Sequence, residues 1–206
     1  MEEIFPGVFR DVGRLFTKGK KPENWDPYSS KPAAAIMNGL ENFPVKPGQK
    51  ILYLGAAHGT TVGHFSDIIG REGRIYAVEV SAKVAPKLLE TAKRKENIVP
   101  IIDDARFPER YAWAGKADLV YEDIAQRDQV AILKRNAAAF LRPGGIIAIA
   151  LKAKAIDSVR AVKEIYKEAA AELSSGFEIL ETVELEPFER DHLFIVGLAK
   201  QTAKTP

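Results

Sequence analysis

Residues 51–70 read ILYLGAAHGTTVGHFSDIIG: an apolar strand runs into a glycine-bearing turn and then into a helix predicted over 61–69. From about residue 46 onward strand-like apolar runs alternate with helix-like periodic ones, the pattern of a parallel α/β sheet. The strand segments are KILYLGA, RIYAVEV, NIVPIID, ADLVYEDI, GIIAIALKA, FEILETVEL and HLFIVGLAK. Further helices are expected over 82–95, 127–140 and 157–174, the last carrying Val159, Val162, Tyr166, Ala169 and Leu173 as one stripe of period near 3.6. Gly70, Pro143, Gly144, Gly145 and Gly176 punctuate the helix ends. Only PFERD separates the last two strands, too short a stretch for a helical crossover, so an antiparallel hairpin is expected there. The whole reads as a mostly parallel sheet whose last strand runs backwards, a domain over 46–206. Residues 1–45 do not share that rhythm. Their short β-prone pieces, glycine turns and proline-bearing polar stretch predict a small β-rich subdomain packed on the main sheet.

Composition narrows the chemistry. A chain of 206 residues with 46% hydrophobic content can bury a full core. Its net charge is only +2, so any nucleic-acid site must be local. No cysteine is present, which excludes disulfides, thiolate nucleophiles and Cys-ligated zinc. Three histidines, His58, His64 and His192, leave little for a metal site, and none is expected. The start, MEEIFPGVFRDV, has no signal or transit pattern, and no apolar run reaches membrane-spanning length. A cytoplasmic protein is expected.

The glycine turn follows the first strand of the sheet, so it sits at the strand's carboxyl end, where doubly wound folds bind ligands. Its glycines, Gly55, Gly59 and Gly63, are not spaced as the Gly-x-Gly-x-x-Gly of a dinucleotide site, and the Gly-Lys-Ser/Thr of a phosphate loop is absent. A nucleoside-type ligand without phosphate remains, and S-adenosylmethionine is the common one. Glu79 closes the second strand, where a carboxylate can accept both ribose hydroxyls. Asp103 and Asp104 end the third, where an acceptor can read an adenine amino group and the amide of Ala105 can serve a ring nitrogen. A seven-stranded sheet ending in an antiparallel hairpin resembles the class I methyltransferase architecture, a Rossmann-like α/β fold, more than an NAD-binding one. The expected cofactor set is Gly55, Ala56, Ala57, Thr60, Thr61, Glu79, Val80, Asp103, Asp104, Ala105, Asp123 and Gln126.

The same topology gathers three ionisable groups. Asp123 ends the fourth strand, Lys152 ends the fifth, and His192 begins the reversed strand, so all three face the edge that carries the glycine turn. Each alone has an ordinary explanation: a strand-end boundary lysine, a helix-capping aspartate, a structural histidine. Lys31, in WDPYSSKPAAAIMNG, has no such topological argument, and SSKPAAA also reads as a serine-capped helix start. Two basic clusters, Arg14, Lys18, Lys20, Lys21 and Lys83, Lys87, Lys93, Arg94, Lys95, suit phosphates or a solvated face equally. A stand-alone methyltransferase for a small molecule or protein, and a non-catalytic assembly module on the same fold, stay open at this point.

WDPYSSKPAAAIMNG, YLGAAHGTTVGHFSDIIG, YAVEVS, DDAR, YEDIAQ, LRPGG and RDH occur in an order that resembles the fibrillarin family in its archaeal form, over nearly the entire chain. The resemblance implies a 2′-O-methyltransferase acting on ribosomal and transfer RNA with S-adenosyl-L-methionine. It also implies a ribonucleoprotein with a box C/D guide RNA, a Nop-family scaffold protein and a kink-turn-binding ribosomal-type protein. The family's Lys-Asp-Lys-His tetrad falls on Lys31, Asp123, Lys152 and His192. Lys152 is read as the general base, Lys31 and His192 as groups orienting ribose or phosphate, and Asp123 as the holder of the lysines. Pro32 stands where the family more often has Leu, which biases Lys31 toward an extended backbone.

Overall fold

The computed structural model describes residues 1–200, so the last six residues of the expected 46–206 domain lie outside the described ones. The chain opens with four strands, β1 (Glu2–Phe5), β2 (Val8–Asp11), β3 (Arg14–Lys18) and β4 (Pro22–Trp25), in an antiparallel meander of order β1-β2-β3-β4. Asp11 pairs with Arg14, so Val12 and Gly13 alone make the β2–β3 turn, both with positive φ (44° and 73°). That is the primed geometry whose twist matches the flanking strands.

Helix α1 (Lys31–Met37) follows, as the SSKPAAA stretch allows. The Ser30 hydroxyl does not cap it. It accepts from Trp25 Nε1 at 2.8 Å and lies 2.9 Å from the Thr61 hydroxyl, wiring the helix start to the main domain. Lys31 is nonetheless the first helical residue: the extended residue is Ser30 (φ −151°, ψ 114°), and Pro32 is accommodated in the first turn, where its missing N–H has no partner to lose.

The main sheet contains β5 (Lys50–Leu54), β6 (Arg74–Val78), β7 (Ile98–Ile101), β8 (Ala117–Glu122), β9 (Leu141–Lys152), β10 (Phe177–Glu184) and β11 (His192–Ala199), in the order β10-β11-β9-β8-β5-β6-β7. Helices α2 (Thr60–Ile69), α3 (Ala85–Arg94), α4 (Gln129–Phe140), α5 (Ala153–Ile156) and α6 (Val162–Leu173) lie between strands. The pairs β5–β6, β5–β8, β6–β7 and β8–β9 are parallel, and β11 is antiparallel to both β9 and β10, the expected reversal. Successive side chains of the central strands point to opposite faces. Tyr53, Tyr121 and Phe194 join Phe65, Trp25 and Phe43 on one face, while Leu52, Val120, Ile147 and Ile195 pack with Leu133, Ile165 and Leu173 on the other. Val8, Leu15 and Trp25 of the N-terminal sheet share the first of these cores.

Two boundaries stand apart from expectation. Pro143, Gly144 and Gly145 do not end a helix: α4 stops at Phe140 and β9 begins at once, Leu141 pairing with Ala117 before the register shifts to Leu119 opposite Ile146. The shift lets the proline and two glycines leave the regular ladder. The last long helix begins at Val162, not 157, because the Asp157 carboxylate accepts the amides of Val159 and Arg160 (2.8 and 3.1 Å) and turns the chain there. Val159 is therefore 90% exposed and leaves the apolar stripe. Among the described residues no helix is long and apolar enough to cross a membrane.

Candidate functional site

The turn after β5 is held by its own backbone. The amides of Gly55 and Ala56 both donate to the Val78 carbonyl at 3.0 Å, and Gly55, Ala57 and Gly59 all take positive φ. A Cβ on Gly55 would collide with the Asp123 carbonyl oxygen, so glycine is what lets this turn close against the end of β8. Glu79, buried, receives the Ala57 amide on Oε2 (2.8 Å) and the Ser81 amide on Oε1 (2.7 Å). Each oxygen keeps a lone pair for a further donor. The carboxylate at the end of the second strand thus also fixes the shape of the turn.

Beside it, Val80 is 60% and Ile102 47% exposed, just past neighbouring strand ends joined by the Glu79 amide on the Ile101 carbonyl. These exposed apolar walls suit a flat ring. Asp103 accepts the Asp104 amide (2.7 Å) and Arg110 (3.2 Å), whereas Asp104 pairs with Arg106, whose hydrogen bonds hold its carboxyl below the ordinary range. Ala105 is buried, its carbonyl taken by the Asn136 amide group at 2.8 Å. Thr60 is exposed at the start of α2, whereas Thr61 is turned inward onto Ser30. Gln126 is exposed, and its carbonyl accepts Gln129 Nε2 at 2.9 Å.

The ionisable residues meet one strand further along. The Asp123 amide donates to Leu54, directly before the glycine turn, and its carboxylate lies 3.1 Å from Lys31 Nζ. Burial pushes the Asp123 carboxyl up, and Lys31 pulls it back down. Lys152 and His192 are Cα partners across the β9–β11 ladder. The buried Gln129 side chain grips the Lys152 backbone from both sides, accepting its amide at 2.9 Å and donating to its carbonyl at 3.1 Å. Among the described residues the Lys152 ammonium makes no ion pair. His192 is buried, with Nδ1 2.7 Å from the Arg190 carbonyl, so in the neutral ring Nδ1 carries the proton and Nε2 is the free acceptor. Burial, aided by Lys31, lowers its pKa, while the Arg190 carbonyl, Glu189 and Asp123 oppose the shift.

The structure adds Glu189, which sequence reasoning treated only as part of the PFERD connection. It lies 3.8 Å from Lys31 Nζ and 4.0 Å from His192 Nδ1. Its only sequence signal is a carboxylate three residues before the histidine. The basic clusters divide: Arg14, Lys18, Lys20, Lys21, Lys83, Lys87, Lys93 and Arg94 are exposed, but Lys95 reaches inward to Asp67 (2.6 Å) and Glu23 (3.7 Å). Its ammonium occupies a trio, Glu23, His64 and Asp67, whose ligand atoms lie within 4.8 Å of one another.

A family model described as Fibrillarin matches residues 12–201. A fibrillarin-like rRNA/tRNA 2′-O-methyltransferase of Pyrococcus furiosus is 47% identical over 181 residues, covering 87% of this chain and 80% of that protein. The crystal structure of a fibrillarin/Nop5p complex superposes with a TM-score of 0.91 at 40% identity, over 95% of this chain and 98% of that one. Aeropyrum pernix fibrillarin with natively bound S-adenosyl-L-methionine superposes with a TM-score of 0.79 at 45% identity, over 94% and 86%.

Proposed function

The chain belongs to the fibrillarin family, and from that premise we propose that it is an S-adenosyl-L-methionine-dependent 2′-O-methyltransferase of ribosomal and transfer RNA. One observation carries the reading: Asp123 abuts the glycine turn through its backbone and pairs with Lys31 through its side chain, so the turn and the charged cluster share a residue. The residues fit the cofactor. Glu79 keeps free lone pairs at a ribose position, Val80 and Ile102 offer apolar walls, and the turn allows close backbone approach. When bound, the cofactor supplies a methyl group on a positively charged sulfur.

This chain's own residues position the acceptor ribose and handle its proton. Lys152, with no carboxylate partner among the described residues and with its backbone locked by Gln129, takes the proton of the 2′-hydroxyl once it has itself lost a proton to solvent and stands as the neutral amine. Lys31 and His192 orient the ribose or an adjacent phosphate, and Asp123 holds Lys31. Tyr28, 66% exposed and in edge contact with Phe188 beside this cluster, suits contact with a nucleotide. The scaffold is a Nop-family protein, supported by the fibrillarin/Nop5p complex. A box C/D guide RNA and a kink-turn-binding protein complete the particle and select the nucleotide, consistent with a sequence that has no strip of aromatics interleaved with Lys and Arg for reading bases.

The test combines labelled S-adenosyl-L-methionine, the guide, its target RNA and the scaffold proteins, then maps 2′-O-methyl groups nucleotide by nucleotide. Label at one guide-selected ribose is expected. Cofactor binding with no RNA label would replace this reading by that of a small-molecule or protein methyltransferase.

A further inference from the structure

We propose that Glu189 is a positioning residue of the reaction site, clamping Lys31 and His192 from the β10–β11 connection. The proposal rests on the methyltransferase reading and goes beyond the four residues that the family resemblance supplied.

The two oxygens of Glu189 divide their work: Oε1 lies 3.8 Å from Lys31 Nζ and Oε2 lies 4.0 Å from His192 Nδ1. One carboxylate therefore ties the first residue of α1 to the first residue of β11, two groups that come from opposite ends of the chain. Its aim is set by backbone. The amides of Phe188 and Glu189 both donate to the carbonyl of the buried Leu185 (2.9 and 3.0 Å), and the Leu185 amide donates to the His192 carbonyl (3.1 Å). The Asp191 carbonyl accepts the Ala153 amide (3.0 Å), anchoring the other end of the connection directly after β9. Phe188 meets Tyr28 edge-on, with ring centroids 5.1 Å apart, a second link between the same two segments. A connection pinned at this many points does not carry its carboxylate at random.

Charge supplies the chemical reason. The groups that face His192 are Lys31 of α1, Asp123 after β8, Glu189 and the Arg190 carbonyl of the connection, and Lys152 across the ladder. In the resting site, with His192 neutral and Lys152 still protonated before it acts as a base, two lysines are formally balanced by two carboxylates. Without Glu189 the cluster would be cationic before a methyl donor with a sulfonium arrives, and like charges close together repel. Glu189 thus keeps the site able to accept a second cation, and it favours the charged form of His192 against burial.

The experiment compares wild type with Glu189→Gln, which keeps shape and removes charge, and with Glu189→Asp, which keeps charge. Single-turnover methylation is measured in the assembled particle at saturating cofactor and RNA, and an NMR pH titration of the His192 ring is run on the chain alone. The Gln variant is expected to lose turnover by about ten- to a hundredfold, the scale of a misplaced catalytic group, with KM for RNA little changed. Its His192 midpoint should fall below the wild-type value, and Asp should recover part of the rate. A Gln variant within twofold of wild type, or one that loses rate while the His192 midpoint stays put, overturns the proposal. A wild-type particle that leaves RNA unlabelled overturns the methyltransferase reading instead, and the His192 titration still reads the clamp.

Discussion

Gln129 illustrates how much of the site is backbone control. A strand end is a frayed place for a reactive side chain, yet Lys152 has both its amide and its carbonyl held by one buried amide side chain. Removing the lysine's amine should leave that scaffold intact. We expect Lys152→Ala to lower methylation in the particle by about a hundredfold or more, the usual contribution of a proton-transfer group, with cofactor affinity unchanged by calorimetry. Glu122, next to Asp123, tells a different story. It is fully buried, neither carboxylate oxygen has a partner, and burial holds its carboxyl well above the usual range. Such a group contributes a cost that grows as pH rises past the point where the unfolded chain ionises. Glu122→Met should therefore stabilise the fold by about 1–3 kcal/mol, more at pH 8 than at pH 5, as read by denaturant unfolding at the two pH values. The sequence made Asp123, Lys152 and His192 legible because strand order alone sends them to one edge. Lys31 was legible only through family resemblance, since its place depends on Ser30 bonding to Trp25 and Thr61, which no local pattern announces. Glu189 was illegible because a loop carboxylate has no period to betray it.

At the scale of elements, short connections were the most informative feature. The connection between the last two strands, read as PFERD in the sequence and spanning residues 185–191 in the structure, is too short for a helical crossover and forced an antiparallel pair, from which the sheet's reversed member followed. Side-chain turns were the least informative: Asp157 takes two amides and delays α6 by five residues from the expected 157, and the register shift beside Gly144 makes part of a strand from what reads as a helix stop. The β2–β3 turn offers a clean test of local strain. Val12 is 95% exposed and sits at φ 44°, a left-handed conformation that a β-branched residue resists. Val12→Asn gives the Asn-Gly pair this turn geometry favours. An increase in stability of about 1 kcal/mol is expected, visible as a higher melting temperature with cofactor binding unaffected.

Across the whole molecule, the N-terminal sheet is joined to the main domain through His64. Its ring stacks on Trp25 at 5.2 Å between centroids, and Nδ1 lies 2.8 Å from the Thr17 hydroxyl. Burial, reinforced by Lys95, lowers its pKa from 6.5 to about 4. The folded chain thus binds this proton less readily than the unfolded one, so stability is lost as pH falls from about 6.5 toward 4. At about 1.4 kcal/mol per unit the loss is roughly 3 kcal/mol, and His192, lowered in the same direction, adds to it. Unfolding midpoints measured from pH 7 to pH 4 should show this decline, and His64→Gln should flatten it. An unchanged slope in that variant would remove His64 as the cause.

The sheet order places β11 between β9 and β10, although β11 is the last of the described strands. The turn, Glu79 and the aspartates proposed to frame the cofactor site all precede it in the chain. The strand that fills the gap in the sheet is also the strand that sets His192 opposite Lys152. Until β11 docks, β10 has no neighbour that joins it to the sheet and Lys152 has no histidine across from it, so completing the sheet and completing the ionisable cluster are one folding event.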